Sequence, residues 1–208
     1  MARVVQIHPE TPQQRLLTQA AEFIREGAIV AFPTDSCYAL GCRVGDKDAL
    51  DRIRLIRQID DRHHLTLMVR DLSEIATYAR VDNAQYRLLK ATTPGSYVFI
   101  LEGSKELPRR VLHPKRKTIG VRVPDHPVAL ALLGELNEPL LTTTLQLPGD
   151  DLPLTEGWEI QDRLEDQIDW ILDGGHCGTE PTTVVDLTGS SPELVRAGKG
   201  PLEPFGFD

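Results

Sequence analysis

The segment Pro33–Gly41 places several reactive side chains directly after a predicted buried strand. The apolar stretch Ala28–Phe32 is short, contiguous and bounded by glycine and proline, which is typical of such a strand. Pro33 cannot donate to a sheet ladder, so the strand ends there. Two hydroxyls, a carboxylate and a phenol follow, where open α/β sheets bind their ligands. A turn closed by Asp, Ser or Thr side chains would explain the same residues.

A second candidate is a basic segment in an otherwise acidic chain. Six of the thirteen residues from 105 to 117 are basic, namely Lys105, Arg109, Arg110, Lys115, Arg116 and Lys117. A solvated surface loop would explain them, but so would a phosphate-binding cleft or a contact with an RNA backbone. The segment leads into a predicted strand that contains Arg122, whose guanidinium group can bind a carboxylate or a phosphate through two parallel hydrogen bonds.

Composition narrows the class of protein. The chain has 208 residues, 40% of them hydrophobic, which suffices for a substantial core. A net charge of −8 argues against a protein coated in nucleic acid, although a local basic cleft is compatible with it. Three cysteines without a Cys-x-x-Cys pair indicate neither a disulfide framework nor a zinc site, and no other metal motif occurs. There is no P-loop signature. No basic-then-apolar leader and no long apolar run is present, so we expect a cytoplasmic protein without membrane segments.

The elements that must position these residues follow from hydrophobic spacing and capping signals. Strands are predicted at 4–7, 28–32, 65–69, 97–101, 119–123, 140–144, 168–172, 183–187 and 194–196. Helices are predicted to start at Thr11 (N-cap), Asp46 (N-cap), Asp71 (N-cap), about 83 and about 128. Strands and helices mix without strict βαβ alternation, which favours an α/β protein with a large mixed, twisted sheet over a Rossmann fold. No linker or repeat occurs, so one domain over residues 1–208 is predicted.

Beyond these local signals, the Pro33–Gly41 segment resembles the signature Pro-Thr-Asp-Thr-Val-Tyr-Gly-Leu-Gly of the YrdC-like family. Further matches follow in the family's order at 94–95, 121–124 with 126–127, 142–149, 181–187 and 195–198. They span nearly the whole chain, and the pattern is most similar to the YciO branch. The resemblance implies a YrdC-like fold with a large concave cleft and a core of about residues 14–200.

The family's chemistry joins threonine, bicarbonate and ATP into threonylcarbamoyl-adenylate with release of pyrophosphate, for threonylcarbamoyladenosine modification of tRNA. By resemblance, threonine would be bound by Thr34, Arg122 and Thr182. ATP would be surrounded by Arg57, Thr142, Thr144, Gln146 and Arg196, of which Arg57, Thr144 and Gln146 would also act in catalysis. Mg²⁺ would accompany the ATP, held by its phosphates and by few protein ligands, with Asp35 as one candidate.

Two signature elements are altered. Where family members acting on ATP carry Lys-x-Arg, this chain has Arg57 and Ile59, so one cation is missing; Arg62, His63 and His64 are candidates to replace it. Thr144 and Gln146 stand for the family's Ser-x-Asn, which keeps the hydrogen-bonding groups but moves them. An alternative function is therefore an RNA-binding module for tRNA or double-stranded RNA with little catalysis, which would use Lys115, Arg116 and Lys117.

Overall fold

A computed structural model describes residues 1–208 as ten strands in one mixed sheet, six α-helices and two short 3-10 turns. The strands are β1 (Arg3–Gln6), β2 (Val30–Phe32), β3 (Ala39–Arg43), β4 (Thr66–Met68), β5 (Tyr97–Glu102), β6 (Thr118–Arg122), β7 (Leu140–Thr144), β8 (Trp170–Asp173), β9 (Thr183–Asp186) and β10 (Glu193–Arg196). The helices are α1 (Gln14–Arg25), α2 (Lys47–Arg57), α3 (Leu72–Tyr78), α4 (Asn83–Thr92), α5 (Pro127–Leu136) and α6 (Gly157–Leu164). No helix is long and apolar enough to cross a membrane.

The predicted mixed sheet is confirmed. Its strand order is β1-β8-β2-β3-β7-β4-β6-β5-β9-β10. Four neighbouring pairs are parallel (β1–β8, β2–β8, β4–β6 and β5–β9), and the other five are antiparallel. Strands that are distant in sequence therefore lie side by side at the centre, where β4 pairs with both β6 and β7.

The two faces of the sheet are covered differently. On one face, alternate residues of the central strands, such as Leu67, Phe99 and Val121, join a core cluster of 35 buried residues that includes Ile53 of α2. On the other face, α1 and α5 pack over β2 and β8 in a second cluster of 17 buried residues. Beyond those helices, the second face from β7 to β9 lines a cavity. The period-2 alternation of strands thus separates the core from the cavity.

Gly120 lies on the cavity face of the sheet, at a position too crowded for a side chain. Across β7, β4, β6 and β5, the residues Thr142, Thr66, Gly120 and Ile100 lie in register on the cavity face. A Cβ atom at Gly120 would come within 2.8 Å of Val98 Cγ1 and 3.3 Å of the Leu65 carbonyl oxygen. Such contacts are too close for a side chain, so glycine is required where the two neighbouring strands crowd this position.

Two of the three predicted helix N-caps are confirmed, and the third is wrong. Asp46 and Asp71 are the N-caps of α2 and α3, as predicted, since their side chains accept hydrogen bonds from the backbone N–H groups of Ala49 and Glu74, three residues later. The predicted N-cap Thr11 is wrong, because α1 begins at Gln14 after an uncapped Gln13. The Thr11 hydroxyl instead lies 3.0 Å from His8 Nδ1, which also accepts from the Thr11 backbone N–H. This local turn competes with the helix for the same polar groups.

Two elements were not predicted. β3 contains glycine and no β-branched residue, so neither propensity nor alternation marks it as a strand. It forms because β2 and β7 pair with it on both sides. α6 begins with a capping box between Glu156 and Glu159, in which glutamate replaces the usual N-cap residue types. The sequence signals for β3 and α6 are therefore weaker than those for the other strands and helices.

The end of α2 is a Schellman motif that determines where the following side chains point. Gln58 adopts the left-handed conformation (φ 51°, ψ 45°). Its N–H donates to the Leu55 carbonyl, and the Ile59 N–H donates to the Arg54 carbonyl. Ile59 then packs against the main core cluster, as the hydrophobic residue after such a cap usually does.

We expect Gln58→Gly to raise the free energy of unfolding by about 0.5–1 kcal/mol. The left-handed conformation costs a residue with a Cβ about 1–2 kcal/mol, and glycine avoids this cost. The greater entropy of glycine in the unfolded state cancels part of the stabilisation. Gln58→Val, with a β-branched side chain, should lower it. Urea unfolding of the three proteins measures both changes. Equal stability of the glycine and valine variants would contradict the assigned cap.

Candidate functional site

The cavity on the open face of the sheet has a volume of about 370 Å³. Its apolar floor consists of Met68, Val98, Ile100 and Val184. Hydroxyl groups surround this floor, contributed by Ser36, Tyr38, Thr66, Thr142, Thr143, Thr144 and Thr182. An apolar floor with convergent polar groups is the usual composition of a small-molecule site.

The charge of the cavity is opposite to that of the protein. Four arginines and two histidines line it, namely Arg57, Arg62, Arg122, Arg196, His63 and His64. None of its 22 lining residues is an aspartate or glutamate. Since the chain as a whole carries a net charge of −8, this local excess of cations marks a site for an anionic ligand.

Arg57 and Arg196 approach the cavity from opposite ends of the chain and have no carboxylate partner. Arg57, the last residue of α2, donates to the backbone carbonyl of Gln146 and lies 3.4 Å from the Thr143 hydroxyl. Arg196, at the end of β10, donates to the Thr182 carbonyl (2.8 and 3.1 Å) and hydroxyl (3.0 Å). Burial lowers the pKa of both guanidinium groups. An anion bound here would compensate charges that the protein itself leaves unbalanced.

Arg122 is held differently, by a buried ion pair. It lies at the end of β6, is 6% exposed, and donates through Nη2 to Asp35 and more weakly to the Thr34 hydroxyl (3.4 Å). Its Nε is buried without a partner. The Arg122 group therefore uses part of its fork within the protein and keeps one donor unpaired.

Asp35 is the centre of this arrangement. One of its oxygens accepts from Arg122 and the other from the Ser96 hydroxyl (2.7 Å), while the Lys199 ammonium donates to its backbone carbonyl. Burial alone would raise the pKa of Asp35, but the charge of Arg122 and the hydrogen bond from Ser96 outweigh it, so the pKa is lowered. Asp35 is therefore ionised at neutral pH.

The turn after β2 is built on Thr34. Its hydroxyl accepts from the N–H groups of Ser36 (3.1 Å) and Cys37 (3.2 Å) and donates to the Cys37 carbonyl (2.6 Å). This is the side-chain-to-backbone turn that was the alternative explanation of the segment. Thr34 is buried and is not part of the cavity lining, whereas Ser36, Cys37 and Tyr38 are. Threonine binding by Thr34 itself stays a prediction.

The thiol and phenol of this segment are not acids or bases at neutral pH. Burial raises the pKa of Cys37 to about 11. Burial and the charge of Asp173 raise the pKa of Tyr38, whose hydroxyl donates to the Gly175 carbonyl (2.6 Å). Both groups therefore stay protonated, so they serve the cavity as a hydrogen-bonding wall rather than as proton carriers.

Strand β7 and the loop after it form a further wall of the cavity. The Thr142 hydroxyl donates to the Thr66 carbonyl (3.0 Å), and the Gln146 amide donates to the Asp150 carbonyl (2.9 Å). Thr144, at the end of β7, is half-buried and has no side-chain hydrogen bond to protein. The Gln146 side-chain oxygen and the Thr144 hydroxyl are thus left for a ligand.

Most of the residues named from the sequence lie together in the cavity. They are Arg57, Arg122, Thr142, Thr144, Gln146, Thr182 and Arg196. Thr34 stands behind the wall, and Lys115, Arg116 and Lys117 are exposed elsewhere. Sequence reasoning did not name Thr66, Thr143 and the apolar floor. A threonine within an otherwise apolar strand was the only signal for Thr66.

The altered Lys-x-Arg element has a structural explanation. Ile59, which occupies the arginine position, is absent from the cavity lining and packs against the core. Arg62, His63 and His64, later in the same turn, line the cavity instead. The basic side chains that this turn contributes to the cavity therefore come from positions three to five residues after Ile59.

The basic segment lies on the surface. Lys115, Arg116 and Lys117 are exposed. Arg116 forms an ion pair with Asp186 (2.6 Å), and the Lys117 ammonium donates to the Pro114 carbonyl (2.7 Å). Part of this charge is therefore compensated by the protein, and Lys115 is the least engaged of the three.

The residues present do not provide a Mg²⁺ site. No group of three or more His, Cys, Asp or Glu side chains could hold a metal ion. Asp35, the candidate ligand, has one oxygen bound to Arg122 and the other to Ser96, and no carboxylate lines the cavity. Mg²⁺ that arrives with a nucleotide would be held by phosphates and water, as part of the substrate.

A double-mutant cycle tests the buried ion pair. Arg122→Ala alone should lower the free energy of unfolding by about 3–5 kcal/mol, because it leaves the Asp35 carboxylate buried and unpaired. Adding Asp35→Ala should restore part of this loss. The exposed pair Arg80–Glu102, with side chains 65% and 53% exposed, is the control and should show a coupling of about 0–1 kcal/mol. Equal coupling in both pairs would refute the assigned role.

Comparison with known proteins places this geometry in a family. A family model described as "Telomere recombination", covering Sua5, YciO and YrdC proteins, matches residues 22–198. The crystal structure of Escherichia coli YciO superimposes with a TM-score of 0.96 at 55% identity, covering 99% of this chain and all of that chain. The corresponding E. coli K12 sequence is described as an uncharacterized protein.

More distant relatives have a named activity. A threonylcarbamoyl-AMP synthase from Pyrococcus abyssi is 33% identical over 187 residues, covering 88% of this chain and 54% of that protein. The structure of P. abyssi Sua5 complexed with L-threonine matches with a TM-score of 0.89 at 29% identity, over 97% of this chain and 59% of that one. The signature segments, the mixed sheet and these matches lead to one conclusion: the chain belongs to the Sua5/YciO/YrdC family.

Proposed function

We propose that this protein forms threonylcarbamoyl-adenylate from threonine, bicarbonate and ATP, for threonylcarbamoyladenosine modification of tRNA. The observation that carries the proposal is the cavity, which has four arginines, two histidines and no carboxylate in a chain of net charge −8. An ATP polyphosphate is a highly charged anion of the kind that such a site attracts. The relatives named as threonylcarbamoyl-AMP synthases support this choice of reaction.

The reaction needs little covalent chemistry from the protein. The threonine amine condenses with bicarbonate, losing water, to give an N-carboxylate. An oxygen of this carboxylate attacks the α-phosphorus of ATP, and pyrophosphate leaves. Holding the two anions together against their repulsion is the main difficulty, so positioning and cationic stabilisation should dominate. Arginines that are held by backbone carbonyls and lack a carboxylate partner are suited to this task, because they need no rearrangement of an internal ion pair.

Within the cavity, we assign the phosphates to Arg57 and Arg196. Both guanidinium groups are fixed by backbone carbonyls of the cavity wall, so their direction is determined before a ligand arrives. Thr144 and Gln146, on the neighbouring wall, offer a free hydroxyl and a free amide oxygen to the nucleotide. Thr142 supports them from within β7.

The amino acid is assigned to the end of the cavity near Arg122. The guanidinium group of Arg122 lines the cavity and is suited to the carboxylate of threonine, and Ser36, in the turn after β2, lines the same cavity. Thr34 contributes indirectly, since its hydroxyl accepts from Arg122 and closes the turn. We assign Thr182 to threonine as well, and its hydroxyl, which accepts from Arg196, links this residue to the phosphate-binding arginine. The Sua5 structure with L-threonine supports an amino-acid subsite in this fold.

Pyrophosphate release from ATP tests the function directly. It should require both threonine and bicarbonate. Arg57→Ala and Arg196→Ala should each lower the rate about ten- to a hundredfold, since a hydrogen bond to a charged group contributes about 1.5–3 kcal/mol. Both substitutions leave no carboxylate unpaired, so the fold should persist. Arg80→Ala, a surface change of the same charge, is the control. Release that continues without threonine would contradict the proposed reaction.

The alternative function is an RNA-binding module for tRNA or double-stranded RNA. The exposure of Lys115, Arg116 and Lys117, outside the cavity, favours a backbone contact on this surface. Ile59, turned into the core, favours the alternative because it removes a cation that active relatives use. An active cavity and an RNA-binding surface are compatible, since they share no residue.

Replacing Lys115, Arg116 and Lys117 with alanine should weaken binding of unrelated double-stranded RNAs by a similar factor. Each lost phosphate contact should lower the magnitude of the salt slope by about one unit, because fewer counterions are released. Filter binding at several salt concentrations measures both effects. Arg3→Ala with Arg15→Ala and Lys90→Ala, three exposed residues outside this segment, is the control of equal charge. Loss for a single RNA with an unchanged salt slope would point to base recognition elsewhere.

A further inference from the structure

The turn between α2 and β4 presents a titratable group to the two arginines that lack a carboxylate partner. Ile59 faces the core, whereas His63 lines the cavity together with Arg57 and Arg196. His63 is also exposed, so it lies at the mouth and can exchange protons with solvent. A histidine is the only side chain whose ordinary pKa lies within the physiological range.

The charged groups around His63 come from three segments. Partial desolvation at the mouth of the cavity lowers the pKa of His63, the positive charges of Arg57 on α2 and Arg196 on β10 lower it further, and Asp60 in the same turn opposes them. Its sequence neighbours Arg62 and His64 line the same cavity. In the free protein the imidazole is therefore neutral at pH 7, and it accepts rather than donates at one of its ring nitrogens.

We propose that His63 is a further anion-binding residue of this cavity and takes up a proton when a phosphate-bearing ligand binds beside Arg57 and Arg196. The inference rests on the proposed function, since it uses the same phosphate subsite. It assigns to His63 the role of the cation that Ile59 does not supply. The proton comes from solvent, and the resulting imidazolium donates an N–H to a phosphate oxygen.

The physical reason is electrostatic linkage. A bound phosphate balances the charges of Arg57 and Arg196, which otherwise disfavour an imidazolium, and adds negative charge beside the ring. Protonation and ligand binding therefore favour each other. The sign follows directly: affinity rises as the pH falls toward the pKa of the free histidine. Each unit by which the ligand raises this pKa corresponds to about a tenfold gain in affinity in the protonated range.

His64 is a matched control in the same turn. It also lines the cavity, but its Nε2 lies 2.7 Å from the Thr118 hydroxyl and its ring stacks on His113 at 5.1 Å. Its pKa is lowered by burial and by His113 and Arg116, not by Arg57 or Arg196. A ligand beside those two arginines should therefore change the protonation of His63 far more than that of His64.

The experiment measures ATP binding to the wild-type protein, His63→Gln and His64→Gln by calorimetry at about pH 6 and about pH 8. Two buffers of different ionisation enthalpy report the protons taken up, and protonation of ATP itself cancels between variants. We expect proton uptake by the wild type and His64→Gln that His63→Gln lacks. His63→Gln should bind about tenfold more weakly at the lower pH and nearly as well at the higher one.

A second measurement does not depend on a variant. The NMR titration of the His63 ring in the wild-type protein should show a higher pKa with ATP than without it. An unchanged pKa, together with equal proton uptake by all three proteins, overturns the inference while ATP binding leaves the proposed function standing. Absence of ATP binding at both pH values overturns the proposed function, and the inference with it.

Discussion

The ion pair between Arg122 and Asp35 joins the two segments on which the cavity depends. Arg122 stands at the end of β6 in the middle of the sheet, and Asp35 belongs to the turn after β2. Ser96 and Lys199 bind the same aspartate, so the loop before β5 and the chain after β10 are held at one point. A buried ion pair of this kind adds little net stability over an apolar contact, but losing one partner is costly. Its main effect is to hold the turn after β2 against the end of β6, which fixes the relative position of these two parts of the cavity.

Around this neutralised pair, the cavity keeps its other charges unbalanced. Arg57 and Arg196 donate to carbonyls and hydroxyls, which fix their direction without cancelling their charge. Partial desolvation lowers the pKa of both guanidinium groups, and an anionic ligand would balance their charge. The contrast between a compensated Arg122 and two uncompensated arginines separates the site into a neutralised end and a positively charged end. The function that we propose would use the first for the amino acid and the second for the phosphates.

The altered signature elements look less severe in three dimensions than in the sequence. A hydrophobic residue after a left-handed helix cap naturally turns to the core, so Ile59 stabilises the end of α2. The same turn returns to the cavity with Arg62, His63 and His64. The exchange therefore replaces one permanent cation by another, Arg62, and by two titratable histidines that line the same cavity.

The elements that depend on short-range sequence signals could be predicted from the sequence alone. The strand before Pro33, the caps Asp46 and Asp71 and the mixed sheet were predictable because period, propensity and capping act over a few residues. The signature segments identified most of the cavity residues. Strand β3 and the burial of Thr34 required the tertiary structure, because partners far along the chain decide both. The inward turn of Ile59 follows from the left-handed cap at Gln58, a conformation that the residue type alone does not indicate. The charge of the site depends equally on that folding, since only the fold brings Asp35 to Arg122 and leaves Arg57 and Arg196 without a carboxylate.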